Sequence, residues 1–185
     1  MGSEETCYRA KPSWIGGGCM TRAYQCANVP GPHLGKVGTP ATVAAAIKRA
    51  KRPVLIVGSE LTHLDWALAL AEGQGIPVVA TAHVAGVMIE KGVNPDRVLG
   101  VIEITNLLKS PEWKGIRGEG QHDLAIFVDV LYYMEAQMLS TLKHFAPHIK
   151  TISLTRGHQP NANLSLPNLS EKKMGEFLAE VMEAV

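Results

Sequence analysis

Four short aliphatic runs, spaced by segments of helical period, constrain this chain more than any other feature. Val54, Leu55, Ile56 and Val57 lie between Pro53 and Gly58. Residues 76–81 read Ile-Pro-Val-Val-Ala-Thr, Leu124 through Val128 are continuously apolar before Asp129, and residues 149–154 form a further run. A strand apolar at every position has no solvent face. Both of its sides must be covered, which is the condition of a parallel sheet held between helices.

The intervening segments supply those helices. Thr39 as N-cap and Pro40 at the first helical position predict a helix to about residue 51, with Val43, Ala44, Ile47 and Ala50 on one face. A second helix carries Leu61, Leu64, Leu68 and Ala71 on one face and ends at Gly73 or Gly75. Residues 82–91 read as a short helix closed by Gly92, 98–101 as a short strand and 102–109 as a weak helix. Residues 110–122 read as loop, and 131–145 as an amphipathic helix that stops before Pro147. Residues 155–169 are expected as loop or edge structure, and Ser170 caps a final helix to Ala184.

Strands alternating with helices imply parallel pairing with right-handed crossovers. The fold class is therefore α/β: a three-layer Rossmann-like domain over residues 39–185, with a parallel sheet of about six strands and helices on both faces. Residues 1–38 read as an irregular N-terminal arm, with three consecutive glycines at 16–18 and the turn Pro30, Gly31 and Pro32. The arm also carries Tyr8, Trp14, Ile15, Met20 and Tyr24, more large apolar groups than a solvated linker holds. It is expected to lie against its own domain or a partner.

Composition narrows the function classes. A formal net charge of +1 with no basic stripe argues against nucleic acid as a partner. No apolar run approaches the roughly 20 residues of a membrane span, and residues 1–15 show no apolar leader core, so a cytoplasmic location is expected. Cys7, Cys19 and Cys26 are odd in number and match no trusted zinc or iron–sulfur spacing, so no metal site is assigned. His144 and His148 are separated by the helix breaker Pro147, which argues against shared ligation.

In an open parallel sheet, ligands collect at the carboxyl ends of the strands. That rule selects Gly58 and Ser59, Thr81 and His83, Asp129 and Thr155 as a candidate FAD or nucleotide edge. The usual dinucleotide fingerprint is absent. One glycine stands where three are needed, and Glu60 would set negative charge beside a phosphate. A plain strand-to-helix turn is the competing reading, and no catalytic set can be proposed from spacing.

The stretches AKRPVLIVGS at 50–59 and ALALAEGQGIPVVAT at 67–81 resemble the middle, NAD- or FAD-binding-type domain of thiamine-diphosphate enzymes. A closer resemblance spans nearly the whole chain. It is carried by PSWIGGGC at 12–19, NVPGP at 28–32, HDLAIFVD at 122–129, YYMEAQ at 132–137 and NLSLPN at 163–168. In their order these resemble the epsilon subunits of archaeal acetyl-CoA decarbonylase/synthase complexes.

The resemblance implies a non-catalytic accessory subunit. It would bind the alpha subunit that carries the nickel–iron–sulfur carbon monoxide dehydrogenase centres, in an alpha-two epsilon-two component. Stabilising that component and assisting electron transfer to FAD are the two roles it implies, with no catalytic residue to carry over. A redox protein binding FAD or NAD on its own stands as the alternative, and a homo-oligomer is an open alternative for the isolated chain.

Overall fold

The computed structural model describes Asn28, Gly31 and residues 33–185. Seven strands form one sheet: β1 (Lys36–Val37), β2 (Pro53–Val57), β3 (Val78–Ala80), β4 (Arg97–Val98), β5 (Leu124–Val128), β6 (Lys150–Leu154) and β7 (Leu164–Ser165). Their order is β1-β7-β6-β5-β2-β3-β4, and every pairing is parallel. The three long central strands run in full register, with Leu55 opposite Ile126 and Ile126 opposite Ile152.

Six helices cover the sheet: α1 (Pro40–Arg49), α2 (Leu64–Gln74), α3 (Ala82–Glu90), α4 (Val101–Lys109), α5 (Tyr132–Phe145) and α6 (Glu171–Ala184). Alternation along each strand divides the core in two. Leu55, Val57, Ile126 and Leu154 face α1, α2, α3 and α6. Val54, Ile56, Ala125 and Phe127 face α4 and α5. Phe127, Leu55, Ile56 and Ile126 are fully buried, and each contributes roughly 1.5–3 kcal/mol by leaving water. The three expected layers are therefore present.

Local signals explain most boundaries. The Thr39 hydroxyl accepts the Thr42 N–H at 3.1 Å while the Thr42 hydroxyl accepts the Thr39 N–H at 2.7 Å, a reciprocal cap that starts α1. Asp123 closes the amino edge between β2 and β5: its carboxylate accepts the N–H groups of Lys51 and Arg52 at 2.8 and 2.9 Å.

Three expectations need correcting. Lys36 and Val37, read within the irregular arm, form strand β1 against β7. Residues 164–165, expected as loop or edge, form an interior strand between β6 and β1. Both strands have two residues, too few for any period to show in sequence. Leu61, expected on the second helix, precedes α2 in a turn with a left-handed backbone, φ 57°. Apart from Asn28, Gly31 and residues 33–38, the expected arm lies outside the described residues, as do Cys7, Cys19 and Cys26.

Candidate functional site

The strand order reverses at β2. From there the chain proceeds outward to β3 and β4, then returns to place β5 on the other side of β2. The crevice above the β2 and β5 carboxyl ends is thus the switch point where this class of sheet receives ligands. Gly58 and Asp129 both stand there, at the ends of those two strands.

In this chain the β2 turn passes close to the backbone that follows β5. A Cβ on Gly58 would lie 2.4 Å from both the Asp129 carbonyl oxygen and the Val130 Cα. Glycine is therefore needed for the close approach of the chain to itself. The N–H groups of the turn are also engaged: Gly58 donates to the Val128 carbonyl at 2.8 Å and Glu60 to the Asp129 carbonyl at 3.0 Å.

The Asp129 carboxylate completes the closure. One oxygen accepts the His63 N–H at 2.5 Å, and the other meets His63 Nδ1 at 2.9 Å. His63 is the N-cap position of α2 and makes no side-chain cap of its own; Asp129, 66 residues away, accepts its backbone N–H, one of the unpaired donors at the helix start. Asp129 is 2 % exposed and adopts a left-handed backbone, φ 53°. Three N–H groups at this turn, those of Gly58, Glu60 and His63, are thus already bonded within the chain.

The other candidates stand along the same carboxyl edge: Ser59 follows Gly58, the Thr81 N–H donates to the Val57 carbonyl at 3.3 Å, and Thr155 follows Leu154, the partner of Val128. Ser59 and His83 are exposed, and Thr81 is half-buried with its hydroxyl enclosed and lacking a hydrogen-bond partner. Thr155 is buried in a second cluster, where its hydroxyl meets Ser153 Oγ at 3.1 Å and donates to Glu135 Oε2 at 3.2 Å. Among the described residues no group of three or more His, Cys, Asp or Glu is placed to hold a metal.

The second cluster was not foreseen. Glu135, on α5, is fully buried. Burial pushes its carboxyl up to about 8, against the opposing pull of the Ser153 and Thr155 hydroxyls and the Gln159 amide. Gln159 Nε2 donates to Glu135 Oε2 at 3.1 Å and to the Tyr132 carbonyl at 2.9 Å. Its Oε1 accepts from Asn28 at 3.4 Å, and Asn28 Oδ1 accepts from Asn161 at 2.8 Å. The root of the arm is therefore fastened to the domain by buried amide bonds. In sequence Glu135 looks like an ordinary helix-surface acid; the density of side-chain amides at Gln159, Asn161 and Asn163 was the available clue.

Two clefts open on the opposite, amino edge of the sheet. One, of about 320 Å³, is lined by Lys48, Lys51, Arg52, Arg117 and Glu119. Arg117 pairs with Asp96 through two bonds of 2.5 and 2.8 Å, which hold the Asp96 carboxyl below its usual range. The other, of about 340 Å³, is lined by Lys36, Lys143 and Lys150 above an apolar floor.

Comparison with known proteins yields consistent relatives. The family model described as "CO dehydrogenase beta subunit/acetyl-CoA synthase epsilon subunit" matches residues 15–182. The acetyl-CoA decarbonylase/synthase complex subunit epsilon of Methanothermobacter thermautotrophicus is 41 % identical over 156 residues, covering 83 % of this chain and 90 % of that protein. The corresponding subunit of Methanothrix soehngenii is 37 % identical, covering 80 % and 81 %. Epsilon 1 of Archaeoglobus fulgidus is 39 % identical, covering 72 % and 74 %. Among solved structures, the TrkA-N domain of the Escherichia coli inner membrane protein ybaL aligns with a TM-score of 0.41 and 17 % identity, over 71 % of this chain and 96 % of that one. The architecture described above rests on strand order and register, not on that likeness.

Proposed function

The chain belongs to the family of carbon monoxide dehydrogenase beta and acetyl-CoA synthase epsilon subunits, and from that premise we propose that it is a non-catalytic accessory subunit of an acetyl-CoA decarbonylase/synthase complex. It binds the alpha subunit that carries the carbon monoxide dehydrogenase centres and stabilises an alpha-two epsilon-two component. The observation that supports this reading is the tight turn after β2: a side chain on Gly58 would meet the Asp129 and Val130 backbone, and the Gly58, Glu60 and His63 N–H groups are bonded within the chain.

Assistance of electron transfer to FAD belongs to the same proposal in a restricted form. Gly58, Asp129 and Thr155 are buried and bonded within the chain. In this proposal the flavin contact falls on the accessible Ser59 and His83 with Thr81 beside them, and the partner supplies the rest.

Copurification tests the main reading. The tagged chain, coexpressed with the alpha subunit, is expected to elute with it as one species by size-exclusion chromatography with light scattering. Separate elution at micromolar concentrations would refute the accessory reading. Calorimetric titration of FAD into the lone chain is expected to give no saturable heat. Tight stoichiometric binding would instead favour the independent redox protein.

A further inference from the structure

The surface that best matches a partner is the lysine-lined cleft at the β1 end of the sheet. Its walls come from Lys36 at the start of β1, Lys150 at the start of β6 and Lys143 in the last turn of α5. Its floor is Ala146, Ile149 and Ala162, and Leu34 on its rim is 56 % exposed. Three lysines and no carboxylate line it, although the whole chain has a net charge of only +1.

Two comparisons separate this cleft from ordinary surface charge. The first is with the other amino-edge cleft, where Glu119 stands among the cations and Asp96 engages Arg117. There Arg117 is answered inside the chain and Glu119 adds a carboxylate to the lining, while Lys48, Lys51 and Arg52 meet no carboxylate within ion-pair distance among the described residues. In the β1 cleft, Lys36 and Lys150 meet no carboxylate within ion-pair distance among the described residues, and the Lys143 ammonium donates to the His33 carbonyl. The second comparison is with helix ends in general. Lysines in the last turn of a helix offset the negative pole of its carbonyls, which accounts for Lys143. Lys36 and Lys150 stand on strands, and helix polarity does not account for them.

Resting on the accessory-subunit reading above, we propose that this cleft docks an acidic segment of another subunit of the complex. Carboxylates of the segment meet Lys36 and Lys150, and its apolar side chains cover Leu34 and the Ala146–Ile149–Ala162 floor. A rim of charge around an apolar centre is the usual anatomy of a protein contact. The charge chiefly sets partner choice and association rate.

Charge reversal tests this in the full-length chain. The doubly substituted Lys36→Glu, Lys150→Glu protein is measured by surface plasmon resonance against the purified remaining subunits of the complex, in low and high salt. Wild-type binding is expected to weaken as salt rises. The reversed protein is expected to bind about ten-fold less tightly at low salt, with a flattened salt dependence. The size-preserving pair Lys36→Gln, Lys150→Gln, checked for folding by its melting temperature, is expected to fall between the two. Reversal at the opposite edge, Lys172→Glu with Lys173→Glu, is expected to leave binding unchanged.

Wild-type affinity in both cleft variants would overturn the proposal while leaving the accessory reading intact. So would saturable binding of inorganic phosphate in the cleft that leaves subunit binding untouched, which marks a small-anion site. If the wild-type chain does not bind the remaining subunits at all, the accessory reading itself falls, and the docking proposal with it.

Discussion

The two edges of the sheet treat charged residues in opposite ways. At the carboxyl edge, Asp129 and Glu135 are buried, bonded to neighbours and inaccessible to a partner. At the amino edge, lysines and arginines line open clefts. Parallel sheets commonly present the reverse, with an open carboxyl edge that serves ligands. The contrast shows that a fold's usual binding place is set by whether its amides are still available. Here Gly58, Glu60 and His63 have already given theirs to the chain. The chain's family is one of subunits of a multi-subunit complex.

Substitutions can break this comparison, because carboxyl-edge changes should be costly and amino-edge changes cheap. The largest effect is expected from Gly58→Ala. Its Cβ would sit 2.4 Å from backbone atoms that cannot swing away, so β2 and β5 must separate. A loss of about 3 kcal/mol or more is expected in urea unfolding. A loss under about 1 kcal/mol would mean that the crevice is looser than described.

Glu135 provides the next test, by pH. Its carboxyl is raised in the folded chain from the ordinary 4.5 to about 8, so the folded state holds the proton more tightly than the unfolded state. The associated stability is fully present below about pH 4.5 and is lost progressively as pH rises through about 8. The expected loss is on the order of a few kcal/mol. Glu135→Gln, which cannot ionise, should flatten that part of the pH–stability curve and melt higher than wild type at pH 9. An unchanged slope would contradict the burial described.

Asp129→Asn should cost about 1–2 kcal/mol. Asparagine tolerates the left-handed backbone at this position but offers a weaker acceptor to the His63 N–H. The smallest effect is expected at the amino edge. Arg117→Ala removes a half-exposed ion pair with Asp96 and should cost under about 1 kcal/mol in thermal unfolding.

What could be read in advance follows the range of the interactions. The aliphatic runs announced β2, β3, β5 and β6, because full burial leaves a signal in consecutive residues. Thr39 and Ser170 announced their helices, because caps act over three residues. The pair of His63 and Asp129 was invisible, being 66 residues apart and brought together only by the β2–β5 pairing. Glu135 was misleading because a helix-borne acid is ordinarily solvated, and only the tertiary fold brings Thr155 and Gln159 over it. The six candidate residues were chosen by a rule about sheet edges. That rule marks the switch point at Gly58 and Asp129, but the hydrogen bonds that tie the turn to Asp129 arise only in the folded chain.

The central claim is that the turn amides above β2 are committed within the chain, and hydrogen exchange reads them directly. Amide-resolved exchange of Gly58, Glu60 and His63 is expected to be strongly protected in the free chain and unchanged by saturating FAD or NAD. Rapid exchange at these three positions in the free chain, slowing when a nucleotide is added, would contradict the account.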